Sequence, residues 1–264
     1  MVDIHHHLLF GIDDGSPDLE TSVAMVESAV EDGITHIVCT PHANDRYAYD
    51  RERNLQLTSE IRNALPAHIA EKITLGQGCD FHLNYDNLQD LKRNKTKYTI
   101  NGNGYLLIEL PNHGIPQNMT ELIYDMQLVH LTPILTHPER NATLQRNLRP
   151  MIDWMRSGML VQITAGSIAG SFGPQAATIA HEMLEKRWVH FVATDAHNLT
   201  TRPPKMRTVY DTIAAKYGED DAYRLCTANP LAVFEGIPLP EQPEPKKLYE
   251  EMAKKSWLQR LLGR

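Results

Sequence analysis

The sequence predicts an α/β fold of one domain in which parallel strands close into a barrel. Three observations carry this reading. Short apolar runs rich in Ile, Val, Leu and Thr alternate with helical stretches along the chain. Six of the seven runs carry a histidine or an acid at or within two residues of their end, and 264 residues is a length that one such barrel occupies. Regular alternation of strand and helix lays the strands parallel, and with seven units a closed or nearly closed ring suits them better than an open sheet.

Taken in order, the runs are Val2 to His5, His36 to Thr40, Ile73 to Asp80, Tyr105 to Leu110, Pro133 to Thr136, Leu160 to Thr164 and Val189 to Thr194. Helices are expected at Leu19 to Asp32, Asp50 to Leu65, Gln117 to His130, Ala142 to Ser157 and Gln175 to Lys186. Ser16-Pro17 offers the first of them an N-cap and a first-turn proline, and Asp32-Gly33 and Ser157-Gly158 offer C-terminal stops. Residues 1–236 form the barrel. The proline-rich stretch from Pro238 to Pro245 then reads as a linker to a basic segment, so that residues 237–264 make a tail. In that tail Leu248, Met252, Leu258 and Leu262 fall near one helical face, interrupted by Lys255; a solvated or locally docked helix and a membrane or partner contact are both open to it.

Composition bounds the function. The net charge of -7 argues against a nucleic-acid binder. No apolar run approaches the roughly 20 residues that span a bilayer, and the N-terminus lacks a basic region followed by a hydrophobic stretch, which points to a cytoplasmic protein. Cys39, Cys79 and Cys226 form no CxxC pair, so reduced thiols are expected. The residues six places after them are Asp45, Tyr85 and Ala232, and none is the arginine that a cysteine phosphatase requires. Asn101-Gly102-Asn103-Gly104 lacks the lysine of a phosphate-binding loop and reads as a turn.

Chemistry concentrates at the strand ends. In a parallel barrel the carboxyl ends of all strands meet on one face. They would bring together His5 and His7, His42, Asp80, Glu109, His137, and Asp195 with His197. Residues i and i+2 of an extended chain point the same way, so His5/His7 and Asp195/His197 can each grip metal from one side, with His6 facing away. The run His5-His6-His7 is short and embedded between Val2-Asp3-Ile4 and Leu8-Leu9-Phe10, which marks it as native strand rather than a tag. Asp14, in the loop Gly11-Ile12-Asp13-Asp14-Gly15, is either a further ligand or a turn carboxylate. The sixth strand, ending at Thr164, supplies no evident ligand. Imidazole and carboxylate donors without thiolate suit Mn, Fe, Zn or Mg. Arg140 and Arg202 lie just past such positions, and each is either a phosphate clasp or a surface ion-pair partner.

These motifs, Asp3-Ile4-His5-His6-His7-Leu8, Thr40-Pro41-His42, Leu107-Ile108-Glu109-Leu110-Pro111, Thr136-His137-Pro138-Glu139-Arg140 and Thr194-Asp195-Ala196-His197-Asn198 with Arg202-Pro203-Pro204, span residues 1 to about 235. In that order they resemble the PHP (polymerase and histidinol phosphatase) superfamily. Within it they are similar to the metal-dependent bacterial tyrosine phosphatases of the CpsB/CapC type. The resemblance implies a distorted (β/α)7 TIM-like barrel with three divalent metal ions, manganese first among them. One ion would take His5, His7, Asp80 and Asp195; a second would share Asp80 and add Glu109 and His137; the third would take Asp14, His42 and His197. Arg140 and Arg202 would bind phosphate while a hydroxide on the metals attacks phosphorus.

The implied substrate is a phosphotyrosine protein, a membrane-associated bacterial tyrosine autokinase that controls capsule and exopolysaccharide synthesis. A PHP phosphatase or phosphodiesterase acting on a small metabolite such as histidinol phosphate is the alternative enzyme, and a metal-binding regulatory subunit the alternative without catalysis. One position departs from the family pattern. The third strand commonly ends in a bridging glutamate, and here the shorter Asp80 stands in Gly78-Cys79-Asp80-Phe81-His82, where His82 can assist.

Overall fold

A computed structural model describes residues 1–111 and 114–248. Among them the strands are β1 (Val2–His6), β2 (His36–Cys39), β3 (His42–Ala43), β4 (Thr74–Gln77), β5 (Asp80–His82), β6 (Tyr105–Glu109), β7 (Thr132–Thr136), β8 (Leu160–Thr164) and β9 (Phe191–Ala193). They form two sheets, ordered β1-β2-β4 and β3-β5-β6-β7-β8-β9. Every pairing is parallel. The architecture is therefore a mixed α/β single domain with parallel sheets, and its ladders do not run unbroken around a ring.

The break has a local cause. The third expected strand divides at Gly78-Cys79, and the second ends at Cys39 with an additional short strand starting at His42, past Thr40-Pro41. Pro41 has no N–H to give a ladder, yet its carbonyl still accepts from the Asp80 N–H at 3.1 Å, and the chain runs on into β3 beside β5. Between β1 and the chain after β9 the pairing is a single bridge, His6 with Ala196. Around it, the Asp195 N–H donates to His5 O at 2.8 Å and the His7 N–H to Ala196 O at 2.9 Å. Asp3 adds a side-chain tie, accepting from the Thr194 backbone N–H at 2.9 Å and the Thr194 hydroxyl at 2.5 Å.

Strands covered on both faces need apolar residues at successive positions. Ile37, Leu106, Ile108, Leu135, Val161 and Ile163 pack with Met25, Leu57, Ile61, Ile123, Met151 and Met183 of the surrounding helices in one large core. Val2, Ile4, Val38, Leu107, Ile134 and Phe191 join a smaller cluster with Val233 of helix Asn229–Glu235. Removing these side chains from water is the main stabilising term.

Several helix boundaries differ from expectation. The helix Leu19–Glu31 is capped by Asp18, whose carboxylate accepts from the Thr21 N–H, two residues beyond the expected Ser16. The stretch 142–157 is two helices, Ala142–Arg146 and Arg149–Arg156. Asn147 between them is extended, and Pro150 sits in the first turn of the second, where its missing N–H costs nothing. Helices Tyr85–Arg93, Arg207–Tyr217 and Asn229–Glu235 were not expected at all.

The proline-rich stretch is tied back to the domain. Gln242 exchanges hydrogen bonds with Asn229, and the Lys246 carbonyl accepts from the Trp188 indole N–H at 3.0 Å. The basic segment beyond Leu248 lies outside the described residues. Among those described, no helix is long and apolar enough to cross a membrane, and all three cysteines are buried free thiols.

His190, which precedes β9, gives the fold an acid sensitivity. Its Nδ1 accepts from the Val161 N–H at 3.1 Å, so the ring is neutral where β8 and β9 meet. Burial and then Arg224 push its pKa down to about 4. The unfolded chain takes up this proton near pH 6.5 and the folded chain only near 4, so the stabilisation is complete above 6.5 and declines as pH falls between those values. Its size is of the order of 2 kcal/mol for a ring that retains some exposure. His190→Gln keeps an acceptor without a titrating ring, and its melting midpoint is expected to fall less than that of the parent between pH 7 and 4.5. Parallel pH profiles for the two proteins would refute the assignment.

Candidate metal centre

All nine residues expected as ligands fall in one cluster. Four overlapping groups keep one donor atom per residue within 4.8 Å of the others: His7, Asp14, His42 and His197; His5, His7 and Asp80; His5, His137 and Asp195; and His42, Asp80 and Glu109. His5 Nε2 lies 3.5 Å from Asp80 Oδ2 and 3.4 Å from Asp195 Oδ1, and His7 Nε2 lies 3.3 Å from the same Asp195 oxygen. Asp80 Oδ2 is also 3.3 Å from His42 Nδ1 and 3.9 Å from His137 Nε2. Asp14 Oδ1 reaches His42 Nε2 at 3.3 Å and His197 Nε2 at 3.7 Å.

The local backbone explains the convergence. Strand alternation turns His5 and His7 to one side, and His137 and Asp195 stand just after β7 and β9 with φ of 33° and 52°. Positive φ is uncommon for residues other than glycine, and here it turns the chain at the point where each side chain joins the cluster. The acidic loop reaches the site because Gly15 passes against His7, where a Cβ would collide with the His7 carbonyl oxygen and Cβ.

Three residues that spacing did not single out orient these side chains. Asp13 Oδ2 lies 2.8 Å from His7 Nδ1, and Gln162 Oε1 lies 2.9 Å from His5 Nδ1, which leaves both Nε2 atoms directed at the cluster. Gln162 comes from β8, the strand that lacks a ligand. Buried Glu139 accepts from the Thr164 N–H at 2.9 Å and the Ser167 hydroxyl at 2.7 Å, fixing the turn beside Arg140. A histidine whose second nitrogen is held in this way is the usual arrangement at metal sites. His82 Nδ1 is 3.3 Å from Glu109 Oε2, at the edge of the same cluster.

Charge in the cluster is unusual for a protein interior. Burial opposes ionisation of Asp80 and Asp195, but His5 and the other neighbouring imidazoles outweigh it and hold both carboxyls well below the usual range, with Arg140 and Arg202 adding to the effect at Asp195. Burial likewise opposes protonation of His5 and His42, yet Asp80 and Asp195 raise His5 to about 9, and Asp14, Asp80 and Glu109 raise His42 to about 11. Burial, then His7, pushes His197 down to about 2. Asp80 Oδ2, His42 Nδ1 and His197 Nε2 are buried with no hydrogen-bond partner, although all three belong to the donor groups above. Buried polar atoms are normally satisfied, so donors left open toward one another fit divalent cations.

Beside the cluster, Arg140 and Arg202 both donate to Asp195 Oδ2. Each guanidinium also lies over the Phe172 ring, at 4.2 and 5.8 Å from its centroid. The two arginines are thus held at the edge of the centre with part of each fork still in solvent.

A family model described as capsular polysaccharide synthesis, CpsB/CapC, matches residues 1–235. CapC of Staphylococcus aureus is 33% identical over 233 residues, covering 84% of this chain and 88% of the relative. The tyrosine-protein phosphatase YwqE of Bacillus subtilis is 32% identical over 253 residues, covering 94% of this chain and 97% of the relative. A structure from a study of YwqE of Bacillus subtilis and CpsB of Streptococcus pneumoniae, described as unique metal-dependent tyrosine phosphatases, superposes with a TM-score of 0.82 at 32% identity, covering 94% of this chain and all of that one. A lactonase from Listeria monocytogenes shares the fold alone, with a TM-score of 0.56 at 13% identity.

Proposed function

Because this chain belongs to the CpsB/CapC family of capsular polysaccharide synthesis, we propose that it is a metal-dependent protein-tyrosine phosphatase. The observation that carries the reading is the convergence of nine nitrogen and oxygen donors beside two arginines. His5, His7, Asp80 and Asp195 would hold one ion, Asp80, Glu109 and His137 a second, and Asp14, His42 and His197 a third, with manganese the first choice. Divalent cations bound there lower the pKa of water and neutralise phosphate-oxygen charge. Arg140 and Arg202 clasp the phosphoryl oxygens, and Asp195 holds both forks in place before substrate arrives. A phenolate, with an ordinary pKa near 10, leaves with less need of protonation than an alkoxide.

The finer architecture belongs to the same proposal. β2 continues toward β3 and β4 toward β5, and the His6–Ala196 bridge links the two sheets, which supports a distorted (β/α)7 barrel formed by residues 1–236. The substrate is a phosphotyrosine protein, in our reading a membrane-associated tyrosine kinase of the bacterial cytoplasm.

The test is turnover of a phosphotyrosine peptide by manganese-loaded protein, with histidinol phosphate in parallel. Chelation should abolish it and manganese restore it. Full activity in metal-free protein would refute the mechanism, and preference for histidinol phosphate would move the assignment to a small metabolite. Arg140→Ala and Arg202→Ala are each expected to keep their metal but lose about 1.5 to 3 kcal/mol of transition-state binding, read as kcat/KM. Wild-type kinetics would return these side chains to a surface role.

A further inference from the structure

The phosphatase reading places a phosphoryl group on Arg140 and Arg202 but leaves open where the rest of the ester lies. A cavity of about 270 Å³ adjoins the arginine pair, with Ala165, Ala169, Phe172, Arg202, Pro203 and Val209 among its walls. Arg202 belongs to both places: it donates to Asp195 at the metal centre and forms part of the cavity wall. Phe172 joins them from the other side, because its ring lies under both guanidinium groups. Gly166 lets that ring come close, since a Cβ there would stand 2.8 Å from Phe172 Cε2. The second aromatic residue near the cluster, Tyr47, is already engaged by the His42 ring at 5.9 Å and by Arg46 at 5.0 Å.

A dianionic phosphoryl group held by the two forks would direct its organic substituent along Arg202 into a space where Ala165, Ala169, Phe172, Pro203 and Val209 offer apolar surface between the threonines and Lys205 of its rim. Water there is displaced favourably by an aromatic ring and much less so by a small alkyl group. We propose that this cavity takes the phenyl ring of phosphotyrosine, with Phe172 as the wall that distinguishes aryl from alkyl phosphates; the inference rests on the phosphatase reading.

The test uses phenylphosphonate and methylphosphonate, which are not hydrolysed, as competitive inhibitors of the manganese-loaded enzyme. The parent should bind the phenyl compound about tenfold or more tightly. Ala169→Phe fills the cavity from an exposed position and touches none of the proposed ligands. It should weaken phenylphosphonate about tenfold while methylphosphonate stays within about twofold. Phe172→Ala should also reduce the ratio of the two constants, even where loosened arginines weaken both. Turnover of a phosphotyrosine peptide by the parent is measured alongside. Its absence would remove the phosphatase reading and this inference with it. Turnover with an unchanged phenyl-to-methyl ratio in both variants would overturn the cavity assignment alone.

Discussion

Asp195→Asn is expected to lose metal and activity together, with turnover on a phosphotyrosine peptide falling by about a thousandfold or more. The magnitude follows from the several kilocalories per mole of charge stabilisation that a bound metal supplies, at about 1.4 kcal/mol for each factor of ten. Asparagine is the informative substitution because it tolerates the positive φ of 52° at this position and keeps the side-chain volume. What it removes is the charge faced by His5, His7, Arg140 and Arg202. Two arginines, each partly in solvent, then face no anion, which costs less than the roughly 3 to 5 kcal/mol of a fully buried broken pair but is still destabilising. The variant should therefore melt earlier as well. Metal analysis and a thermal midpoint separate the two effects, since Arg140→Ala relieves the uncompensated charge but does not restore a ligand. Full metal content with parental turnover in Asp195→Asn would remove Asp195 from the centre.

The sequence was most legible where one physical rule acts alone. Alternation along an extended chain pairs His5 with His7, and the apolar runs mark strands that need burial on both faces. Legibility fails where a second rule competes. The expected run stops at Thr40, and proline cannot continue the ladder, yet a further short strand begins at His42 just beyond it. Tyr85–Arg93 is short and turns only Leu88 and Leu91 to the core, an apolar stripe two residues long that is easily passed over; Asn84 caps it. The partners of the histidines are hidden for another reason. Gln162 lies inside an ordinary strand and Asp13 in an ordinary turn, and only the fold brings them to His5 and His7 across 157 and 6 residues of sequence. Phe172 is similar, a single aromatic in a Gly-Ser-Phe-Gly turn that acquires meaning from the two guanidiniums above it.

At Asp80, where the chain departs from the glutamate common in the family, Asp80→Asn is expected to empty the two sites that share it and leave the one formed by Asp14, His42 and His197. Asp80 is fully buried, and its Oδ2 lies 3.5 Å from His5, 3.3 Å from His42 and 3.9 Å from His137 while accepting no hydrogen bond. An oxygen so placed has the reach of a bridge, and an amide at the same position supplies half the donors and none of the charge. Asp80→Glu should be milder, because it restores a carboxylate but adds a methylene to a site already filled, so metal is retained and the rate altered. His82 sets the alternative: its Nδ1 lies 3.3 Å from Glu109, close enough to join the shared site if the Asp80 carboxylate does not bridge. Metal occupancy in crystals of Asp80→Asn decides between them. Loss at two positions with the third intact identifies Asp80 as the shared ligand, whereas three occupied positions with unchanged spacing would transfer that role to His82 or to water.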